Sequence, residues 1–193
     1  WLKPLAQGAL VWSAMTLLSQ IAGLLLLGSL FVVEGKVAQL DDVSFEHDTQ
    51  SVTGSTTGDW LVYFYDTGFK EGAPKCRACP KFKKTLWDSV CADIEELKTN
   101  GEEPVNVNLA QVDIEQTPQL KYRFRRIVSN LPAIALFRKQ RVYLLEPDGL
   151  RGKTSDDLVD FALESFEQVV ALKVPPELSL LDKVLRYVQG DEL

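Results

Sequence analysis

The sequence predicts an α/β domain preceded by one membrane-spanning helix, and three observations lead to this prediction. Residues 60–65 form a continuous apolar and aromatic run of strand length, which is typical of a central strand buried on both faces. Apolar residues recur at helical spacing in the segments that follow this run. Residues 4–33 contain no charged side chain.

The uncharged N-terminal stretch is long enough to cross a bilayer. Residues 10–33 are mostly Leu, Val, Ala, Ile and Gly, and exceed the ~20 residues that a transmembrane helix needs. A cleavable signal peptide is the alternative, but its apolar core is only ~7 to 15 residues long. Lys3 lies before the stretch, which favours an N-terminus in the cytoplasm or stroma and a luminal domain. We therefore divide the chain into a transmembrane helix (1–35), a folded domain (36–172) and a C-terminal amphipathic segment (173–193).

Within the domain, the elements are predicted in the order β, α, β, α, β, β, followed by a last helix. The predicted strands are 36–40, 60–65, 105–114, 133–137 and 141–146. Residues 41–46 are predicted to be a capped turn or a helix start, residues 49–58 a loop or a frayed helix, and residues 66–75 a loop. Helices are predicted from the cysteines to about residue 98, over 117–126, and from Ser155 to the Pro175-Pro176 pair. The apolar stripe predicted for the helix after the cysteines is Phe82, Leu86, Val90, Ile94 and Leu97. A further amphipathic helix is predicted over 177–188.

The net charge of −6 argues against nucleic acid as a partner, because phosphate binding requires a basic face. Short basic runs occur at 81–84 and 123–126. We interpret both runs as solvated surface and predict no nucleic-acid partner.

Cys76 and Cys79 are the residues that most clearly carry chemistry. They form a Cys-x-x-Cys pair after a buried strand and at the start of a helix, where free N–H groups and the helix dipole favour a thiolate. Cys76 is the expected nucleophile, and Cys79 the thiol that resolves a mixed disulfide. Lys75 and Arg77 flank Cys76; they would lower its pKa further, or are ordinary surface charge.

We expect no cofactor and no metal site. A zinc site with four ligands would need partners far from the cysteine pair, and His47 is the sole histidine. The third cysteine, Cys91, lies beside the apolar stripe of the helix and is interpreted as a small buried apolar residue.

Several dispersed motifs resemble the thioredoxin superfamily, and most closely its protein disulfide isomerase-like branch. The resemblance covers residues 37–167. The motifs that carry it are VAQLDDVSFE at 37–46, WLVYFY at 60–65, CRAC at 76–79, VD at 112–113, VSNLPAIALF at 128–137 and DLVDF at 157–161.

This resemblance implies a thioredoxin-like three-layer α/β/α sandwich around a mixed sheet. It also implies that Pro132 is a cis-proline whose loop packs beside the cysteine pair, completing a catalytic set of Cys76, Cys79 and Pro132. Leu131 would offer backbone groups to an extended substrate peptide, and we assign Leu131 and Arg77 to substrate binding.

The sequence departs from the family pattern at three places. Ten residues, 66–75, separate the central strand from Cys76, and Lys75 stands where the family has a Trp. Tyr63 occupies the position of the buried acid that relays protons to the second cysteine. Arg77 and Ala78 replace the Gly-His pair that is typical of isomerases.

The sequence is compatible with two functions. The first is a membrane-anchored thiol–disulfide oxidoreductase that acts on protein thiols and disulfides in a lumen. The second is a redox-inactive accessory subunit that uses the domain to bind neighbouring membrane-protein subunits. The resemblance, with the Asp-Glu-Leu end at 191–193, favours the endoplasmic reticulum membrane; a thylakoid or another organelle membrane is the alternative.

Overall fold

A six-stranded mixed sheet forms the centre of the fold in a computed structural model that describes residues 37–54, 56–101, 104–179 and 181–182. The strands are β1 (Ala38–Gln39), β2 (Asp59–Tyr65), β3 (Phe69–Lys70), β4 (Ala73–Pro74), β5 (Val107–Asp113), β6 (Ala133–Arg138), β7 (Arg141–Leu145) and β8 (Ala171–Lys173). The spatial order is β1-β5-β2-β6-β7-β8, while β3 and β4 form a separate hairpin. β1, β5 and β2 are parallel, and the other neighbours are antiparallel. The run at 60–65 is therefore central, as predicted.

Six α-helices accompany the sheet in the described part of the chain. They are α1 (Ser44–Thr49), α2 (Cys79–Phe82), α3 (Asp88–Asn100), α4 (Pro118–Phe124), α5 (Pro147–Leu150) and α6 (Ser155–Leu163). A π-helical turn at Lys83–Trp87 joins α2 to α3, and a 3-10 turn at Ser165–Gln168 follows α6.

The π-helical turn changes which residues of the helix after the cysteines face the core. Hydrogen bonds in a π-helical turn span five residues, where those of an α-helix span four. The turn therefore changes which positions of the following helix face the core. Trp87 is fully buried and its ring centroid lies 5.5 Å from that of Tyr63, whereas Leu86 is only half-buried and Leu97 is exposed. The predicted stripe was therefore correct at Val90 and Ile94, and Phe82 and Leu86 pack against the same core, but the prediction missed Trp87.

The two faces of the sheet pack against different helices because side chains alternate along β2. Leu61 and Tyr63 pack with buried residues of α3 and α6. Trp60, Val62 and Phe64 pack with buried residues of α1 and α4. Helices thus cover both faces of the mixed sheet, which gives the three layers that the resemblance implies.

Arg123 corrects the interpretation of the second basic run as solvated surface. The Arg123 side chain is only 4% exposed, and its guanidinium donates to Glu46 Oε2 at 2.8 Å and to the carbonyl of Pro175 at 2.9 Å. The Ser51 hydroxyl accepts a longer bond of 3.3 Å from the same guanidinium. Arg123 therefore connects α1 and α4 to the C-terminal chain, while Arg125 and Arg126 are exposed.

The last predicted helix ends earlier than the sequence indicates. α6 ends at Leu163, Glu164 leaves helical geometry at φ −132°, and the chain then forms the 3-10 turn and β8. The Pro175-Pro176 pair therefore does not end a helix, and the β-branched Val169 and Val170 instead favour an extended chain. The predicted domain boundary between residues 172 and 173 falls within β8.

The predicted transmembrane helix, residues 1–35, lies outside the described residues. No helix in the described part of the chain has both the length and the apolar character needed to cross a bilayer. Of the amphipathic helix predicted over 177–188, the structure describes 177–179 and 181–182, and Leu181 and Asp182 are helical.

Candidate functional site

The cysteine pair lies at the start of α2 and is joined by a disulfide. The Cα atoms of Cys76 and Cys79 are 5.5 Å apart, and the N–H of Cys79 donates to Cys76 Sγ at 3.1 Å. The two residues are 5% and 3% exposed. A donor directed at the Cys76 sulfur favours its thiolate form after reduction, because it stabilises the negative charge.

The segment between β2 and Cys76 is a hairpin, where the sequence analysis predicted a loop. β3 and β4 pair across a turn in which Glu71 and Gly72 both have left-handed φ values, of 53° and 79°. A Gly in a two-residue turn is a hairpin signal that the sequence analysis did not use. The hairpin is closed by a 2.8 Å bond from the N–H of Lys75 to the carbonyl of Gly68. Its first strand is anchored at the end of β5, where Asp113 accepts from both the N–H and the hydroxyl of Thr67.

Lys75 forms an ion pair that limits its effect on Cys76. Its ammonium group bonds the Glu115 carboxylate, which also lies 3.7 Å from Lys121 Nζ. The hydrogen bond between the two groups raises the pKa of Lys75 and lowers that of Glu115. The positive charge that the sequence places before the nucleophile is therefore largely matched by a carboxylate.

Tyr63 lies beneath the cysteine pair at the position that the family gives to an acid. Its side chain is fully buried, and its hydroxyl donates to the backbone carbonyl of Cys79 at 3.0 Å. Burial, with repulsion from the Tyr65 hydroxyl and Asp88, raises the pKa of Tyr63 well above its ordinary value. Tyr63 is thus a neutral hydrogen-bond donor at neutral pH and does not supply the carboxylate base of the family pattern.

The Leu131–Pro132 peptide bond is cis, as the resemblance implies. The preceding backbone is held by Glu146, whose Oε1 accepts from the N–H of Ser129 at 2.6 Å and of Asn130 at 2.7 Å. Glu146 was not identified from the sequence, because its partners lie 16 and 17 residues away along the chain.

A groove of about 540 Å³ brings the predicted nucleophile and the predicted peptide-binding loop together. Cys76 and Leu131 both line it, with Asp66, Lys75, Asn130 and Glu146 among the other lining residues. Arg77 is exposed and does not line the groove, and Pro132 is buried behind the loop. A larger depression of about 800 Å³, which Glu46 and Arg123 help to line, contains no cysteine, so we locate the candidate chemistry in the smaller groove.

Cys91 is buried, which confirms its interpretation as a small apolar residue of the core. Burial raises the pKa of the Cys91 thiol to about 12. It is therefore protonated at neutral pH and separate from the exchange chemistry of the other two cysteines.

Comparison with known proteins gives one relative by sequence and several by structure, while no protein-family model matches the chain. A thioredoxin domain-containing protein of Theileria parva is 33% identical over 149 residues, which are 77% of this chain. The chain spans 58% of the length of that relative.

Among solved structures, zinc-bound human ERp44 has a TM-score of 0.47 at 21% identity, over 68% of this chain and 32% of that one. The first thioredoxin domain of mouse protein disulfide-isomerase A4 has a TM-score of 0.47 at 20% identity, over 76% of this chain and 85% of that one. The sheet order, the cysteine pair at the helix start and the cis-proline, together with the Theileria parva relative, identify a thioredoxin-like fold.

Proposed function

We propose that this chain is a thiol–disulfide oxidoreductase that acts on protein thiols and disulfides, with Cys76 as nucleophile and Cys79 as resolving thiol. The observation that carries the proposal is the groove in which a disulfide-bonded Cys76 lies with the loop that precedes the cis-proline. In that groove a sulfur that can exchange lies close to backbone that an extended peptide can reach.

The exchange step follows from the disulfide. A substrate thiolate attacks Cys76 Sγ, the Cys76–Cys79 bond breaks, and Cys79 leaves as a thiolate that then takes up a proton. A second substrate thiolate attacks the substrate sulfur of the mixed disulfide, and Cys76 leaves as a thiolate. The substrate loses two electrons and gains a disulfide, and the cysteine pair gains those electrons as a dithiol. The N–H of Cys79, 3.1 Å from Cys76 Sγ, stabilises the Cys76 thiolate as it leaves.

Burial of the pair limits how a substrate reaches it. With 5% of Cys76 and 3% of Cys79 exposed, attack from open solvent is restricted, and the groove is the route to Cys76. The same burial, and the neutral Tyr63 in place of an acid, favour the second candidate function, a redox-inactive accessory subunit that binds membrane-protein neighbours. The two functions differ in whether the disulfide turns over.

The cellular location that we propose for the domain is an organelle lumen. The apolar composition of residues 10–33 supports a membrane anchor, and a disulfide persists in oxidising compartments such as the lumen of the endoplasmic reticulum. We therefore place the domain on the luminal side of that membrane, with another organelle lumen as the alternative. Protease protection of the domain in sealed microsomes would support this orientation; digestion without detergent would contradict it.

The function is tested by the reduction potential of the Cys76–Cys79 pair in the full chain in detergent. Cys91→Ser removes the third thiol from the measurement. We expect a potential between about −120 and −270 mV, the range of known catalysts, and turnover of a scrambled disulfide substrate that is lost in Cys76→Ser. A disulfide below about −300 mV, or no turnover, would instead support the accessory subunit.

A further inference from the structure

Glu146 fixes the backbone that precedes the cis-proline. It directly follows β7, and its own carbonyl accepts the N–H of Leu150 at 3.0 Å, so its main chain is held by the sheet on one side and by α5 on the other. From this fixed point its carboxylate reaches the loop, where one oxygen accepts both the Ser129 and the Asn130 N–H.

These two bonds hold the backbone N–H groups of the loop. Before it, the N–H of Val128 donates to Phe124 at the end of α4, and after it β6 begins at Ala133. Within the described residues, no other hydrogen bond holds a backbone N–H of residues 129–131. Leu131 packs against the core, and the hydrogen bonding of the loop backbone between these elements comes from a single side chain.

The loop and its carboxylate both belong to the groove that contains Cys76. Asn130 and Leu131 line that groove, and so does Glu146 itself. Bonds that involve an ionised acceptor are shorter and about twice as strong as neutral ones, so a carboxylate is well suited to hold two adjacent N–H groups.

We propose that Glu146 is a positioning residue for protein substrates. It holds the backbone at residues 129–131 in the conformation in which an extended substrate peptide pairs with it, while Cys76 performs the exchange. This inference rests on the proposed oxidoreductase function and adds to it one requirement. Exchange with protein substrates requires Glu146. Exchange with a small thiol such as glutathione does not require it, because glutathione does not need the loop.

Three substitutions in the full chain test this role. Glu146→Ala removes the acceptor, and Glu146→Asp keeps the charge but shortens the side chain by one methylene group. Glu146→Gln removes the charge but keeps an oxygen that can accept the same two N–H groups. Glu167→Ala is the control, because it removes an exposed carboxylate that does not line the groove.

We expect KM for a protein disulfide substrate to rise about tenfold in the Ala and Asp variants, which corresponds to the loss of one charge-assisted bond. The value of kcat and the equilibrium constant with glutathione should change less than about twofold, since a twofold change is a small fraction of one such bond. Glu146→Gln, which keeps a neutral acceptor, should raise KM by less than Glu146→Ala does, and Glu167→Ala should behave like the wild type. The amide protons of Ser129 and Asn130 should exchange faster in Glu146→Asp than in the wild type, while those of β2 should not.

The possible failures are distinct. An unchanged KM in the Ala and Asp variants would overturn the positioning role. A Gln variant as impaired as the Ala variant would show that charge, and not the acceptor, matters, and would also overturn it. A changed glutathione equilibrium would assign Glu146 to the disulfide or to the fold instead. Absence of turnover by the wild type itself would overturn the proposed function, and this inference with it.

Discussion

The hydroxyl of Tyr63 donates to the backbone carbonyl of Cys79 at 3.0 Å, so the first residue of α2 is bonded directly to the central strand. The same carbonyl accepts the N–H of Lys83 within the helix. Tyr63 also stacks on Tyr65, with ring centroids 5.2 Å apart. Tyr63 therefore has a structural role, as a link between β2 and the cysteine pair.

Tyr63→Phe tests this link. We expect the free energy of unfolding of the oxidised protein to fall by about 1 kcal/mol, the usual contribution of a buried hydrogen bond, because the ring is kept and only the donor is lost. The measurement is urea denaturation followed by tryptophan fluorescence. Tyr65→Phe is the matched control, since it removes a longer bond of 3.3 Å to Gln39 that is exposed to water. Equal losses in the two variants would contradict a special role for Tyr63.

The Lys75–Glu115 pair leads to a second prediction. Because the Glu115 carboxylate matches the Lys75 charge, removing both charges in the double variant Lys75→Gln/Glu115→Gln should change the rate of alkylation of reduced Cys76 less than about twofold. Glu115→Gln leaves Lys75 unmatched close to the thiolate, so it should lower the pKa of Cys76 and speed alkylation near pH 6. The rate is measured by mass spectrometry at low ionic strength with limiting iodoacetamide.

Salt provides the control for this pair. Raising the ionic strength should reduce the effect of Glu115→Gln, because exposed charges are screened over about 10 Å at 0.1 M salt. A large slowing in the double variant Lys75→Gln/Glu115→Gln would show that the Lys75 charge acts on Cys76 even when it is paired, contrary to the prediction.

Elements that are determined by local sequence patterns were predicted correctly. The apolar run at 60–65, the helical spacing of Val90 and Ile94, and the Cys-x-x-Cys pair are local patterns, and each predicted its element correctly. Pro132 as a cis residue came from the resemblance, since no local pattern indicates it.

The features that the sequence did not predict depend on contacts between distant segments. The hairpin at 69–74 is anchored by Asp113, and the loop at 129–130 by Glu146. β8 forms by antiparallel pairing with the edge of β7, a contact between separate segments of the chain. The buried position of Arg123 depends on Glu46, 77 residues earlier, and on the carbonyl of Pro175, 52 residues later. A basic residue in a charged run gives no sign of such partners.

Arg123 provides a third prediction. Arg123→Met should lower the free energy of unfolding by about 3 kcal/mol, because it leaves Glu46 as a largely buried carboxylate without its partner. Arg126→Met, at an exposed position of the same run, should change it by less than about 0.5 kcal/mol. Both values are obtained from urea denaturation of the oxidised protein.

A double variant separates the charge from the packing of the side chain. Arg123→Met combined with Glu46→Gln should recover part of the loss, since the unpaired buried charge is then absent. The double variant could instead lose more free energy of unfolding than the two single variants lose together. The loss in Arg123→Met would then not come from the broken ion pair.

Cys91 allows the pH dependence of stability to be predicted with its sign. Burial raises the pKa of its thiol to about 12 in the folded protein, so the folded state keeps a proton that the unfolded state loses at lower pH. The resulting stabilisation is present in full below the ordinary thiol pKa and is lost as the pH rises towards 12. From about pH 9 to 11, the free energy of unfolding should therefore fall more steeply than in Cys91→Ala, by about 1 kcal/mol per pH unit.

Alkylation tests the same thiol independently. In the oxidised protein Cys76 and Cys79 are joined, so iodoacetamide reports on Cys91 alone. At about pH 8 we expect modification to be at least about tenfold slower in the native protein than in concentrated guanidinium, because the thiolate is the reactive form and burial suppresses it. Equal rates in the two conditions would mean that Cys91 is accessible and ionised in the folded state, and the steeper pH dependence would then also be absent.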